Sequence, residues 1–315
     1  MSARLIMKLE VVSAHDMGAQ VRRLVLRHPR RPVLPAPEPG SHVDVHLAGG
    51  RVRQYSLCGD PADASHYVIA VKRDDDGRGG SRWIHRHLRP GDTAHVSAPR
   101  NHFRLSSRAD HHVLVGAGIG ITPLVAMARH LVRAGASVEV HYAARDRQGA
   151  PFLAELNHLL GRRLRVWLSR APGGARLDPR ALLANRDEGT HVYVCGPPGF
   201  IADVRAAAVD WAPQRVHAES FVPLAPSGPD EPFELQIRST GQVLPVPAGR
   251  SALSVLREAG LIVASACGIG VCGACVRRVV SGDVLHRDVV LDAEERRHAM
   301  MPCVSRARGR VVLDQ

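Results

Sequence analysis

The chain carries six cysteines in 315 residues, and four of them fall in its last 50. In the stretch ASACGIGVCGACVRRV, Cys267 is followed after four residues by Cys272 and after two more by Cys275. The fourth, Cys303, follows after 27 intervening residues. Disulfide frameworks belong to small secreted domains, so thiols concentrated this way in a longer chain point to a metal site. Three ligands in one loop and a fourth from afar is the spacing that wraps a [2Fe–2S] cluster. Two sulfide-bridged irons need four thiolates around a very small object, so one loop must turn tightly about it. Gly268, Gly270 and Gly273 interleave with the ligands, where the lack of a Cβ permits sharp turns and aims N–H groups at sulfur. A structural zinc site is the competing use of four cysteines. It is normally built from paired C-x2-C knuckles, and only one such pair is present. Cys58 and Cys195 stand alone in the sequence.

The elements around this loop fit a small β-grasp domain. FELQIRS (233–239) and QVLPVPA (242–248) alternate like hairpin strands around Thr240-Gly241, and SALSVLREAG (251–260) reads as a short amphipathic helix ending at Gly260. Such a domain needs about the last 85 residues, by the usual size of small domains. The rest must supply its electrons.

In the middle of the chain, HHVLVGAGIGITPLVAMARHL is a strand, a glycine-rich turn and a helix. Its glycines, Gly116, Gly118 and Gly120, are followed by Ile121 where a dinucleotide fingerprint would place its third glycine. Thr122 as N-cap and Pro123 as first helical residue predict a helix start just after the glycines. A helix N-terminus there suits a phosphate, although a tight strand–helix turn uses glycine without any ligand. Strands and helices then alternate through SVEVHYAAR, PFLAELNHLL, LRVWLS, DPRALLAN, HVYVCGP, PGFIADVRAAAVDWA and VHAESF, the rhythm of a doubly wound parallel sheet. The first hundred residues show six short alternating segments punctuated by Gly and Pro, which predict a small antiparallel barrel.

Composition narrows the classes. Apolar content of 45% and charged content of 23% are ordinary for a folded globular chain. No run approaches the roughly 18 consecutive apolar residues of a membrane span, and the start reads as a strand, so a cytoplasmic protein is expected. Net charge is +12, but arginines are spread along the chain and aromatics are 4%, which argues against nucleic acid. An acidic protein partner suits the charge better. Arg277, Arg278, Arg306 and Arg308, close to the cluster ligands in sequence, are candidates for such a docking face. No HExxH or similar zinc spacing occurs among the 18 histidines. HRH (85–87) and HH (111–112) read as surface or supporting residues.

GAGIGITP with VCGPP downstream resembles the nucleotide domain of the ferredoxin–NADP reductase superfamily. RQYSLCGDP (53–61) resembles the flavin motif of the same superfamily. VIAVKRDDDGRGGSRWIHRHLRPGD, PRNHF, ESF and the cysteine loop narrow the likeness to phthalate dioxygenase reductase and its relatives, over essentially the whole chain. The resemblance implies three domains: a flavin-binding β-barrel (1–104), an NAD-binding α/β domain (105–225) and a [2Fe–2S] ferredoxin domain (226–315). It implies that Arg53, Tyr55 and Ser56 meet the flavin. Ala70, Val71 and Lys72 would border its ring, and Gly79, Gly80 and Ser81 would open a short helix onto its phosphate. Gly116, Gly118, Gly120, Thr122 and Pro123 would face the nicotinamide dinucleotide, with Cys195, Gly196 and Pro197 beside the nicotinamide and Phe221 against or near the flavin. Ser56, Thr122 and Cys195 would be the residues at the reacting rings, although an isolated cysteine such as Cys195 is commonly a core residue.

FMN and NADH are the cofactors that this likeness implies, and a Rieske-type oxygenase or demethylase is the implied partner of a monomeric reductase. A nicotinamide yields two electrons together, whereas iron centres accept them singly, and a flavin with a one-electron cluster converts between the two. Alternatives are a FAD-containing reductase for a steroid or hydrocarbon hydroxylase, and an iron–sulfur redox sensor without turnover. Nicotinamide choice stays open in the residues themselves: Asp146 suits the ribose of NADH, while Arg145 and Arg147 would suit a 2′-phosphate.

Overall fold

The computed structural model describes residues 5–18, 20–222, 230–292 and 294–314. They form two compact units, Met1–Glu219 and Ser220–Gln315.

The first unit opens with six strands: β1 (Ile6–Asp16), β2 (Val21–Arg27), β3 (His42–Leu47), β4 (Arg51–Ser56), β5 (Tyr67–Lys72) and β6 (Thr93–Ser97). Their sheet runs β4-β3-β6-β1-β2-β5, and an antiparallel bridge between Leu57 and Ile69 joins its two outer strands. The result is a nearly closed barrel, which leaves little open edge. The predicted alternation is visible in β1, where Met7, Leu9 and Val11 point inward between exposed neighbours. Helix α1 (Gly80–His87) packs Ile84 against this core.

An α/β lobe follows, with β7 (His111–Ala117), α2 (Ile121–Arg133), β8 (Ser137–Ala144), α3 (Leu153–Leu160), β9 (Leu164–Leu168), α4 (Pro179–Leu183), β10 (Thr190–Cys195), α5 (Pro198–Ala207) and β11 (Val216–Glu219). All strand pairs are parallel, in the order β11-β10-β7-β8-β9. Strand order therefore reverses beside β7, so a crevice opens between the carboxyl ends of β7 and β10, the place where open α/β sheets bind ligands. Barrel and lobe share one core: Val21, Cys58, Val68 and Ala70 pack in the same cluster as Leu114, Leu124 and Tyr142. Glu155 of α3 ties them further, accepting from Arg23 of β2 at 3.1 Å and from Arg129 of α2 at 2.6 Å.

The second unit contains β12 (Phe233–Ile237), β13 (Val243–Val246), α6 (Ala252–Glu258), β14 (Arg277–Leu285), β15 (Ala299–Met300) and β16 (Arg306–Leu313), with sheet order β13-β12-β16-β14-β15. The expected hairpin is present, with Phe233 opposite Val246, and β12 pairs parallel to β16. Ser251 caps α6, accepting from the Ser254 N–H, and Gly260 follows the helix with φ +79°. This β-grasp unit buries its own core of Leu235, Ile237, Val246, Leu256, Met300, Val311 and Leu313. No described helix is long and apolar enough to cross a membrane.

Candidate functional site

Three groups of predicted residues fall at three places. On the barrel, Arg53, Tyr55 and Ser56 lie on β4 and its end. The Arg53 guanidinium donates to the carbonyls of Val52 at 2.8 Å and Arg78 at 3.1 Å. Burial, then the nearby positive charges of Arg78 and Arg51, pull its pKa down, so this corner holds more positive charge than its surroundings neutralise. Beside it α1 begins at Gly79 and Gly80 with no side chain capping its first N–H groups. A Cβ at Gly80 would stand 2.7 Å from Arg53 Cγ, so glycine lets the helix end reach the guanidinium. Cationic side chains and an open helix N-terminus together fit a phosphate.

Ser56 is 5% exposed and its Oγ has no hydrogen-bond partner, an orphan donor pointing to a ligand polar group. Burial pushes the Tyr55 phenol well above its ordinary pKa, so it stays a neutral donor. Ser81 is already engaged: its Oγ accepts from the Asp74 N–H at 3.0 Å. On β5 the side chain of Val71 joins the barrel core, and its carbonyl meets His85 Nε2 at 2.8 Å. The two-residue period of the strand puts Ala70 and Lys72 on the opposite face.

At the β7–β10 crevice the helix starts earlier than predicted. A tight turn over Gly118–Gly120 runs directly into α2, whose first residue is Ile121. Thr122 is therefore inside the first turn and its Oγ1 donates to the Ile119 carbonyl at 2.9 Å, so it is not the N-cap; Pro123 takes the third helical position. Neither α2 nor α5 has a side-chain cap; the Ile121 N–H at the start of α2 already donates to the carbonyls of the Gly118–Gly120 turn, and both helix starts face the crevice, where a pyrophosphate is favoured. Gly120 lies against β10: a Cβ there would stand 2.4 Å from the Cys195 carbonyl oxygen. Gly116 is equally close-packed under Ile121, Gly118 turns with φ +55°, and Gly196 faces Ala117 ahead of Pro197, the residue before α5. Cys195 ends β10 fully buried, and burial holds its thiol well above the ordinary pKa. Asp146 follows β8 and its Oδ1 accepts from the Gly149 N–H at 2.8 Å, fixing the turn at that strand's carboxyl end. Phe221, just past β11, is 39% exposed.

Glu219 escaped the sequence reading. It pairs with Cys195 across β10 and β11, and its Oε2 is sealed from solvent without a partner. Burial pushes its pKa up to about 8. The unfolded carboxyl ionises near its ordinary value while the folded one stays protonated, so this group lowers stability progressively as pH rises toward 8. Glu219→Gln is therefore expected to gain stability over wild type at pH 7.5 and little at pH 4.5, read by urea unfolding at both values. An equal effect at both would contradict the assignment. Nothing in the alternation of VHAESF marks a buried carboxylate. Among the histidines, His112 is 5% exposed and stacks on Tyr193 as a supporting residue, and His191 approaches His217 at 3.0 Å.

In the second unit all four cysteines of the motif are buried. Cys275 and Cys303 lie Sγ to Sγ at 3.2 Å, and Cys267 is hydrogen-bonded to Cys272. The thiols thus gather as two pairs, the arrangement needed for two irons with two thiolates each; among the described residues, no three His, Cys, Asp or Glu converge as a single-ion site. The loop turns with positive φ at Gly268, Gly270 and Gly273. The bond to Cys272 and the N–H groups of Ile269, Val271 and Gly270 lower the Cys267 pKa, favouring the thiolate that a metal requires. This donor set fits a [2Fe–2S] cluster.

One expected docking residue is corrected. Arg306 is 3% exposed; it donates to the carbonyls of Glu231 at 2.6 Å and Pro247 at 3.1 Å and lies over the Phe233 ring. It braces the unit and is not available to a partner.

Comparison with known proteins finds relatives over most of the chain. Residues 235–308 match the 2Fe-2S iron-sulfur cluster binding domain family, and residues 97–215 match the N-terminal domain of dimethylamine monooxygenase subunit DmmA-like proteins. The chain is 46% identical over 282 residues to the heme-dependent oxidative N-demethylase beta subunit of Ectopseudomonas mendocina, covering 89% of each. An intact type IV self-sufficient cytochrome P450 monooxygenase superposes with TM-score 0.90 at 38% identity over 98% of this chain, which spans only 41% of that longer protein. Phthalate dioxygenase reductase, whose structure is described as a module for electron transfer from pyridine nucleotides to [2Fe–2S], superposes with TM-score 0.73 at 36% identity over 98% of both chains. The chain belongs to the phthalate dioxygenase reductase family, the flavin and iron–sulfur oxidoreductases that serve as reductase components of multicomponent oxygenases and demethylases.

Proposed function

We propose that the chain takes electrons from NADH on FMN and passes them singly through its [2Fe–2S] cluster to a Rieske-type oxygenase or demethylase. The observation that carries this reading is the pairing, in one compact unit, of a cationic barrel site holding an orphan Ser56 hydroxyl with an uncapped crevice at β7 and β10. When bound, nicotinamide, flavin and cluster supply the two-electron to one-electron conversion.

The residues bind and orient. Arg53, with Arg51 and Arg78 around it and the α1 N-terminus beside it, holds a phosphate. Such concentrated positive charge suits the terminal dianion of FMN better than an internal diphosphate link. Ser56 and Tyr55 donate to the flavin ring, while Ala70 and Lys72 border it. N–H groups at the starts of α2 and α5 hold the pyrophosphate, and Asp146 takes the ribose hydroxyls, favouring NADH. Thr122 and Cys195 line the place of the nicotinamide and exclude water there. Cys267 with Cys272, and Cys275 with Cys303, hold one iron each.

A haem acceptor is a second reading, favoured by the likeness to the N-demethylase subunit and the P450. In either reading the reductase works as a cytoplasmic monomer without nucleic acid or membrane. The test is an anaerobic titration with NADH and separately NADPH, followed by visible absorbance and identification of the released flavin. Stepwise bleaching of flavin and cluster by NADH, with FMN released, is expected. A chain without flavin, or a cluster that NADH does not reduce, would overturn the reading.

A further inference from the structure

Asp288 has the most enclosed side chain among the acids of the second unit, at 0% exposure, and no part of the electron path described above uses it. One carboxylate oxygen accepts from the N–H groups of Val290 at 3.0 Å and Leu291 at 2.8 Å, which folds the segment into a turn. The other, Oδ2, has no hydrogen-bond partner and faces His286 Nδ1 at 3.6 Å. The His286 Nε2–H donates to the Arg296 carbonyl at 3.1 Å, and Arg296 in turn donates to the Asp288 carbonyl at 3.0 Å.

This turn is pressed against the cluster loop. The Val289 N–H donates to the Gly270 carbonyl at 3.1 Å, and a Cβ on Gly270 would stand 3.3 Å from Asp288 Cα. Gly270 is also the residue whose own N–H reaches the sulfurs of Cys267 and Cys303. A buried carboxylate therefore stands one backbone contact away from an N–H···S donor, in surroundings too dry to screen its charge.

We propose that Asp288 is a positioning residue that also tunes the cluster: it holds the turn that seats Gly270, and its negative charge keeps the reduction potential low. The proposal rests on the reading that these four thiolates carry a [2Fe–2S] cluster. One-electron reduction adds a negative charge to a group already surrounded by thiolates, so a fixed carboxylate nearby opposes it. A low potential makes the electron easier to pass on to the oxygenase. Asp288→Asn takes one negative charge away from beside the loop, while the Arg296 guanidinium, held on the Asp288 main-chain carbonyl, stays in place, so the potential is expected to rise.

Asp288→Asn tests it cleanly, since an asparagine oxygen still accepts from Val290 and Leu291 while the charge is gone. Mediated spectroelectrochemical titration of the holoprotein with dithionite is expected to show reduction about tenfold more favourable, a shift of about 59 mV for one electron. Asp288→Glu, which keeps the charge, is expected to stay closer to wild type, and EPR should show an intact cluster in both. If the asparagine variant takes up no iron, Asp288→Ser carries the same test, because its hydroxyl can still accept from Leu291. A neutral variant with a full cluster and a reduction equilibrium within about twofold of wild type, a shift of about 18 mV or less, overturns the proposal. Because dithionite supplies the electrons, failure of NADH to reduce the wild-type cluster would sink the functional reading and leave this result standing.

Discussion

Cys303→Ser is expected to abolish electron delivery to the oxygenase while NADH still bleaches the flavin at close to the wild-type rate. The reason is architectural. Cys303 is the remote thiol, brought beside Cys275 at 3.2 Å by the segment between β15 and β16, and it completes the second of two pairs. A serine oxygen is a poor thiolate substitute for iron, and one missing ligand exposes an iron to solvent. The unit around it has its own buried core, and the proposed flavin and nicotinamide sites lie in the other compact unit. Loss of the cluster thus destabilises the second unit, because metal binding and folding are linked, without rebuilding the first. Iron and labile sulfide content, the EPR signal of the dithionite-reduced protein and stopped-flow absorbance with NADH read the separate parts. A Cys303→Ser protein with full iron and an unaltered EPR spectrum would remove Cys303 from the ligand set. Cys58→Ser is the control: that thiol lies 1% exposed in the core of the first unit, donates to the Val68 carbonyl at 3.4 Å, and should leave iron content untouched.

What could be seen in advance follows from how local each signal is. The candidate cluster loop was legible because three thiols, their spacing and the glycines between them are written in short range. Strand alternation in β1 to β6 and the strand–helix rhythm from β7 to β11 were legible for the same reason. The start of α2 was not, because Thr122-Pro123 is a good local capping pair and only the close approach of Gly120 to Cys195 makes the helix begin two residues sooner. Arg306 looked like surface charge and proved to be an internal brace, since an arginine in β16 carries no mark of the carbonyls folded around it. Glu219, Asp288 and Glu155 are acidic residues whose meaning lies wholly in what packs on them: a sealed oxygen, a buried turn, and two arginines from different elements. Long-range burial decides such residues, and sequence pattern reports only the period of the element.

Gly120→Ala is the second large effect, and sterics alone predict it. Gly120 has φ −63° and ψ −4°, ordinary helical backbone that alanine adopts freely, so any cost comes from space. The added Cβ would stand 2.4 Å from the Cys195 oxygen, 2.6 Å from its carbonyl carbon and 2.7 Å from the Gly196 nitrogen. All three are backbone atoms at the end of β10, so no flexible side chain can swing aside, and the start of α2 or the Cys195-Gly196 peptide must move. Overpacking of this kind costs about 1–3 kcal/mol of stability. The kinetic penalty is larger, because both sides of the crevice proposed to orient the nicotinamide are displaced together, and a shift of about 1 Å in a reacting pair costs about 100-fold. Flavin reduction by NADH in stopped flow should therefore slow by about that factor, with the cluster still reducible by dithionite and iron content unchanged. His130→Ala, at an exposed position near the far end of α2, supplies the comparison and should leave the rate near wild type. If Gly120→Ala reduced its flavin as fast as His130→Ala, the crevice between β7 and β10 could not be the place where NADH is held against the flavin.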